Sequence, residues 1–154
     1  MTRQTPFTIR RFATGDIDLV RELLAVFGQA FEDEFTYTNA QPDRQYLEKL
    51  LCRETVIVLV ALREAEVVGG LVAYELEKLE QRRSEIYIYD LAVAEQHRRR
   101  GVATGLIEQV RSIASQRGAH VVYVQADLQD DPAIQFYTKL GTREDVLHFD
   151  IAVT

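Results

Sequence analysis

Two periods divide the hydrophobic positions of this chain. Phe7-Thr-Ile-Arg-Arg-Phe12 alternates as a short strand does, and Thr14 and Asp16 behind it are both suited to cap a helix. Ile17, Val20, Leu23, Leu24 and Phe27 then recur at helical spacing, which predicts an amphipathic helix over 16–28, while 28–41 reads as loop or broken helix. Pro42, at a first-turn position with Asp43 behind it, opens a second helix on which Tyr46, Leu47, Leu50 and Leu51 share a face. Thr55-Val-Ile-Val-Leu-Val-Ala61 is too short and too β-branched to prefer helix, and Val67 to Leu76 resumes the pattern after Arg63-Glu-Ala-Glu66, so the pair reads as a hairpin.

Ser84 to Val93 alternates at first and then turns almost wholly apolar, as a strand covered on both faces does. Gly101 to Arg117 places Val102, Ala103, Leu106, Ile107, Val110, Ile113 and Ala114 at helical spacing, with Gly118 positioned to end the helix. His120 to Gln125 reads as a strand, Asp131-Pro132 opens a short helix running to about Lys139 that Gly141 closes, and 143–152 reads as a last strand. The order β-α-α-β-β-β-α-β-α-β is mixed α/β, with helices available for both faces of one sheet. A chain of 154 residues without linkers or repeats is expected to form one domain over 1–154.

Composition narrows the classes. No apolar run approaches the roughly 18 residues that cross a bilayer, so no membrane partner is expected. The start Met1-Thr-Arg-Gln-Thr-Pro-Phe lacks the apolar stretch of a signal peptide, which points to the cytoplasm. Cys52 is the one cysteine, which excludes an internal disulfide, and on an apolar helix face it reads as core filler rather than nucleophile. His97, His120 and His148 share no ligand spacing and Asp127, Asp130 and Asp131 form no calcium loop, so no metal is expected.

The net charge of −6 is unevenly spread: residues 1–90 carry 11 basic and 16 acidic side chains, 91–124 carry 5 and 2, and 125–154 carry 2 and 6. Such a chain lacks the broad basic face that nucleic acid requires. Its basic island, Arg98-Arg99-Arg100, lies between a strand and a helix and runs into Gly101-Val-Ala-Thr104. A strand that ends in a basic, glycine-containing turn and enters a helix turns several unpaired N–H groups and the positive dipole end toward one point, where a phosphate fits. The turn is neither a dinucleotide fingerprint nor a Walker loop, and spacing alone leaves a solvated basic turn equally open. Asp90 interrupts the apolar strand just before this turn, and a buried carboxylate there needs either a cationic ligand or a neighbouring donor.

Three segments, Asp90-Leu-Ala-Val93, Arg98-x-x-Gly101-x-Ala103 and Pro132-Ala-Ile-Gln-Phe-Tyr137-Thr-Lys-Leu-Gly141, resemble the GNAT superfamily of acyl-CoA-dependent N-acyltransferases, whose element order matches over essentially the whole chain. More narrowly, Arg83 to Val93, Tyr123-Val-Gln-Ala-Asp127, Asp130-Asp-Pro-Ala133, Tyr137 to Gly141 and His148-Phe-Asp-Ile151 resemble aminoglycoside 3-N-acetyltransferases of the type I group. Residues before about 40 match loosely. The resemblance implies a mixed central sheet flanked by helices, with a central strand that splays after residue 91 by way of a bulge.

It also implies roles. The N–H groups of Arg99, Arg100, Gly101, Val102, Ala103 and Thr104 would hold the pyrophosphate of acetyl-CoA, with Arg98, Arg99 and Arg100 on phosphate oxygens. Leu91 and Val93 would bond the pantetheine arm, and an N–H near Leu91 or Ala92 would face the acetyl oxygen. Tyr137 would protonate the leaving sulfur and Asp90 would receive or hold the amine. Glu34, Glu85, Asp127 and Asp150, together with Asp90, would line a pocket for a polycationic aminoglycoside. Tyr87, Tyr89 and Tyr123 read as core or wall residues. Three positions depart from the superfamily pattern: Tyr87 stands where many members carry a glutamate base, Asp130 and Asp131 where an asparagine is frequent, and Arg100 where a glycine is common.

The activity implied is acetyl transfer from acetyl-CoA to the 3-amino group of 2-deoxystreptamine aminoglycosides, giving antibiotic resistance, in an enzyme that pairs as a homodimer through its C-terminal strands. A polyamine, a metabolite amine or a protein amine is the alternative acceptor, and a non-catalytic acyl-CoA-binding module the alternative of another class.

Overall fold

The computed structural model describes residues 6–154. Met1 to Thr5, part of the segment read for a leader, lie outside the described residues. Two compact units are present, Met1–Val124 and Gln125–Thr154.

The first unit is built on one five-stranded sheet in the order β1-β2-β3-β4-β5. Its strands are β1 (Thr8–Arg11), β2 (Val56–Arg63), β3 (Glu66–Glu77), β4 (Ser84–Val93) and β5 (Val121–Val124). The first four pair antiparallel, and β5 joins β4 in parallel. Helices α1 (Ile17–Ala30), α2 (Arg44–Leu51) and α3 (Val102–Arg117) cover it. Every residue of Val56–Ala61 is buried, because β2 is covered on both faces. Val56, Val58 and Val60 join Ile17, Val20, Leu23 and Phe27 of α1 and Leu47 of α2 in one core cluster. By strand alternation Ile57, Leu59 and Ala61 turn to the opposite face, where α3 supplies its buried stripe Leu106, Ile107, Val110, Ile113 and Ala114. The second unit contains α4 (Asp131–Thr138), for which the Asp130 side chain accepts from the Ala133 N–H.

Five local expectations change. No strand forms over 143–152: these residues have no ladder partner among the described residues, and all are exposed. Alternation alone does not make a strand, since the ladder needs a second chain segment. Pro42 precedes the cap rather than occupying the first turn of α2, and Asp43 is the N-cap, accepting from Tyr46 N. Tyr46 is 56% exposed and leaves the apolar face to Leu47, Leu50 and Leu51. Cys52 is exposed, not core: it caps α2 in helical geometry about 140° around the axis from the buried Leu47, off the apolar face. Asp16 sits at the N-cap of α1 without a capping bond and instead accepts from Arg10 and from the Ala13 N–H.

The β2–β3 hairpin turns on Glu64 (φ 49°) and Ala65 (φ 68°), both left-handed, between the paired residues Arg63 and Glu66. That is the geometry of a two-residue turn that favours Asn-Gly, and Ala65 holds it against a steric cost of about 1–2 kcal/mol. Ala65→Gly relieves that strain while giving up some unfolded-state order. It should therefore stabilise the protein by about 0.5–1 kcal/mol. Urea denaturation checks this, and a lowered midpoint would contradict the turn geometry.

Candidate functional site

The centre of the site is a change in the company β4 keeps. Its pairing with β3 runs the length of the strand, with a bulge where Ala73 faces Ile88 and Val72 faces Asp90, so that Tyr89 is left over. Its pairing with β5 covers only Glu85 to Ile88. The sheet therefore opens after residue 88, three residues earlier than the resemblance implies, and the bulge lies at the opening. Beyond it, among the described residues, one edge of β4 has no neighbouring strand.

Alternation fixes what that edge offers. The Ala94 N–H donates to Val68 O on β3. Ala92, two residues back and facing Gly70 of β3, directs its N–H the same way. Leu91 and Val93 therefore turn their backbone groups to the open edge. One of these is already engaged: Arg98 Nε donates to Val93 O at 3.1 Å. The Leu91 N–H and C=O and the Val93 N–H are left to receive an extended ligand in the manner of an added strand.

The same edge leads into the basic turn. Glu95–His97 form one turn of 3₁₀ helix, Arg99 is left-handed (φ 61°) and Gly101, the N-cap of α3, is left-handed again (φ 81°). Gly101 suits this conformation and nothing lies within 4 Å of where its Cβ would be. Helix geometry leaves the N–H groups of Val102, Ala103 and Thr104 without acceptors inside the helix, and the dipole adds positive potential there. Arg99 and Arg100 are exposed and able to reach an anion, whereas Arg98 spends its Nε on the turn. An extended ligand carrying a pyrophosphate fits both features, the strand edge and the helix start.

Asp90 stands in the opening. Burial raises its carboxyl above the ordinary range, and a hydrogen bond from the Tyr37 hydroxyl (2.8 Å to Oδ1) partly opposes this. Tyr37 belongs to a π-helical turn, Phe35–Asn39. Nothing in the periodicity marks it, since 28–41 reads only as loop or broken helix. Its one signal is an aromatic residue among polar ones.

Around Asp90 the tyrosines form a wall. Tyr87 stacks on Tyr123 (4.7 Å, 6°), Tyr89 meets Tyr87 edge-on at 5.7 Å, and Tyr74 meets Tyr89 edge-on at 6.0 Å. Tyr89, on the bulge, is 61% exposed, so it is wall rather than core. Of the acidic candidates in this unit, Glu85 is paired with Lys78 at 3.7 Å, and Glu34 is exposed at the start of the Phe35–Asn39 turn.

The second unit carries the other candidates. Burial and the nearby Asp130 carboxylate push the Tyr137 hydroxyl up to about 12, so it remains a proton donor at neutral pH. Asp127 is exposed, and Asp150 pairs with His148 at 2.9 Å. Among the described residues no helix is long and apolar enough to cross a membrane.

A splayed central strand joined to a glycine turn at a helix start defines a mixed α/β fold with an open strand edge beside an anion-suited helix N-terminus. Residues 21–142 match the family model described as acetyltransferase (GNAT) family, and the chain belongs to that family. It is similar to an aminoglycoside acetyltransferase from an uncultured soil metagenomic sample, with 52% identity and a TM-score of 0.94 over 97% of this chain and 99% of that one. A second aminoglycoside acetyltransferase from such a sample, solved in complex with sisomicin, is 34% identical, with a TM-score of 0.86 over 96% of this chain and 97% of that one. An uncharacterized N-acetyltransferase of Methanocaldococcus jannaschii is 28% identical over 140 residues, 90% of this chain, and the chain spans 61% of that relative's length.

The raised Asp90 carboxyl makes a stability prediction. A carboxyl whose folded pKa lies above its unfolded value costs nothing when protonated in both states. It costs progressively more as pH rises from about 4 through the raised folded value, then no more. Asp90→Asn, which keeps an acceptor for Tyr37, should therefore gain stability over the parent as pH rises from about 4 to neutral. Thermal unfolding at a series of pH values reads this, and a difference independent of pH would show that Asp90 is not held in a desolvated site.

Proposed function

We propose that the protein transfers acetyl from acetyl-CoA to an amine of a polycationic acceptor. The acceptor class favoured is a 2-deoxystreptamine aminoglycoside, at its 3-amino group, with antibiotic resistance as the outcome. The observation that carries the reading is the juxtaposition, along the continuous run from β4 into α3, of a desolvated carboxylate, an open strand edge and an anion-suited helix start. The likeness to aminoglycoside acetyltransferases at 52% and 34% identity supports the choice of acceptor. The 3-amino position rests on the resemblance of Arg83 to Val93 and the other quoted segments.

Acetyl-CoA, when bound, supplies an acetyl group on a thioester. Leu91 and Val93 hold its arm along β4, and the N–H groups from Arg99 to Thr104, with the guanidinium groups of Arg99 and Arg100, hold its pyrophosphate. The Leu91 N–H is placed to donate to the carbonyl oxygen as charge develops there. Fixed donors of this kind commonly contribute a few kcal/mol.

An ammonium has no free electron pair, so the acceptor must lose a proton before or as its nitrogen bonds the carbonyl carbon. Asp90 takes or holds that proton, directly or through water, and desolvation makes it a better base than an ordinary carboxylate. As the carbon–sulfur bond breaks, Tyr137 gives the sulfur its proton. Glu34, Glu85, Asp127 and Asp150, with the acidic excess of the chain, draw and seat the remaining ammonium groups of the acceptor. Val146, Leu147, Phe149 and Ile151, all exposed on the terminal segment, support association of two copies, and the cytoplasm is the proposed location.

Purified protein supplied with acetyl-CoA and gentamicin should release free CoA thiol and give a mono-acetylated product. No turnover over an aminoglycoside panel, with turnover of a polyamine or peptide amine, would move the acceptor to that class. Acetyl-CoA binding with no turnover of any amine would make the chain a binding module. Asp90→Asn and Tyr137→Phe should each lower kcat by about 10²-fold or more while leaving acetyl-CoA affinity nearly unchanged. Wild-type kcat in either would remove that residue from the chemistry.

A further inference from the structure

The Tyr37 hydroxyl reaches Asp90 from 53 positions away in sequence, and much of the local structure serves to bring it there. Gly28 lies on α1 where the Phe35–Asn39 turn crosses it. A Cβ on Gly28 would come within 2.8 Å of Thr38 Oγ1 and 3.4 Å of Tyr37 Cβ, so the missing side chain lets the turn lie against the helix. Asp33 Oδ1 accepts from the Thr36 N–H at 3.1 Å and fixes the start of the turn. The Tyr37 ring is edge-on to Phe27 at 5.9 Å and tilted against Phe31 at 5.5 Å. Its carbonyl accepts from Gln41 Nε2 at 3.1 Å, and Gln41 in turn accepts from Arg21 at 3.1 Å. Ring and backbone are thus both held, and a π-helical turn is a costly local conformation that recurs at functional sites.

A phenylalanine would satisfy the packing against Phe27 and Phe31. The hydroxyl adds one thing, a donor to Asp90 Oδ1. Among the described residues Asp90 Oδ2 has no hydrogen-bond partner, so the bond also orients the carboxylate with one oxygen committed and the other open. We propose that Tyr37, carried on the Gly28-seated turn, is a positioning residue that fixes Asp90 Oδ1 and thereby presents Oδ2 to the acceptor amine. This rests on the reading of Asp90 as the carboxylate that faces the amine.

The electrostatics agree. Tyr37 and Asp33 face this region from the segment around the turn, Tyr74 from β3, and Tyr87 and Tyr89 from β4. Burial raises Asp90 and the Tyr37 bond is what restrains it. Burial and the Asp90 carboxylate also hold the Tyr37 hydroxyl far above the usual phenol range, so it stays a donor across the working pH.

Tyr37→Phe therefore leaves Asp90 harder to ionise. The acid limb of kcat/KM should move to higher pH by about one unit, the worth of a hydrogen bond to a charged group. The fall should lie in kcat rather than in the KM for acetyl-CoA, and Asp90→Asn combined with Tyr37→Phe should be no slower than Asp90→Asn alone. Gly28→Ala should reproduce the limb shift, and Thr38→Ala in that background should reverse it by removing the atom the new methyl meets.

An unshifted acid limb in a folded Tyr37→Phe protein whose Asp90→Asn counterpart is impaired would overturn this inference alone. So would a Tyr37→Phe penalty of equal size with and without Asp90. Full activity of Asp90→Asn would remove the underlying reading of Asp90, and the inference with it. Carbon NMR titration of the Asp90 carboxyl gives the same shift without turnover, and an unchanged titration in Tyr37→Phe would overturn the inference whatever the acceptor.

Discussion

A strand inside a sheet ordinarily has its backbone groups satisfied on both sides, and β4 breaks that rule halfway along. Through Ile88 it has β3 on one side and β5 on the other, while from Tyr89 onward it keeps only β3. Unpaired backbone groups of this kind are tolerated only where solvent or a ligand can reach them. The bulge at Tyr89 turns the strand as pairing is lost, and Arg98 closes over Val93 O so that the strand's end is tied to the basic turn. The open edge, the basic turn and the start of α3 are thereby a continuous stretch of about fifteen residues, anchored to β3 through the Ala94 N–H and Val68 O.

Much of this is legible in the sequence because it is local. Period-two and period-3.6 patterns locate the five strands and four α-helices of the described residues to within a few positions, and Gly101 and Gly118 mark the two ends of α3 with the left-handed conformations that glycine suits. Asp90 is visible as a charge in an apolar run. The features that escape have a common cause. Placing Cys52 on a core face takes its apolar character for its direction, whereas it caps α2 on the side turned away from Leu47. The segment 143–152 has the right alternation but no ladder partner among the described residues, and a ladder is a property of two segments. Tyr37 matters through a bond to a residue on another element, which no window of sequence contains. Family likeness puts the splay after residue 91, yet it begins after 88, because the point of parting is set by where β5 ends.

The charge pattern takes on a different meaning in this frame. The basic residues 98–100 sit on a turn whose backbone already favours an anion, so they reinforce a site that geometry makes. Asp90 is the reverse: its surroundings are tyrosines and apolar walls, and among the described residues the group that stabilises its charge is a neutral hydroxyl, that of Tyr37. A carboxylate held so is under tension, since a nearby cation would relieve it. On the proposed reading, that relief is part of what draws the acceptor in.

The π-helical turn at Phe35–Asn39 has a consequence for how this region can vary. Its outward residues are free of packing demands: Phe35 is 77% exposed, and Thr36 and Asn39 face solvent. Its length is another matter, because a π turn accommodates one residue more than an α turn does. Loss of a single residue would rotate the rest of the turn around its axis and carry the tyrosine away from β4. The segment is therefore tolerant of substitution at its outward positions and intolerant of a change in length, because the number of residues between Gly28 and the tyrosine sets where the hydroxyl falls.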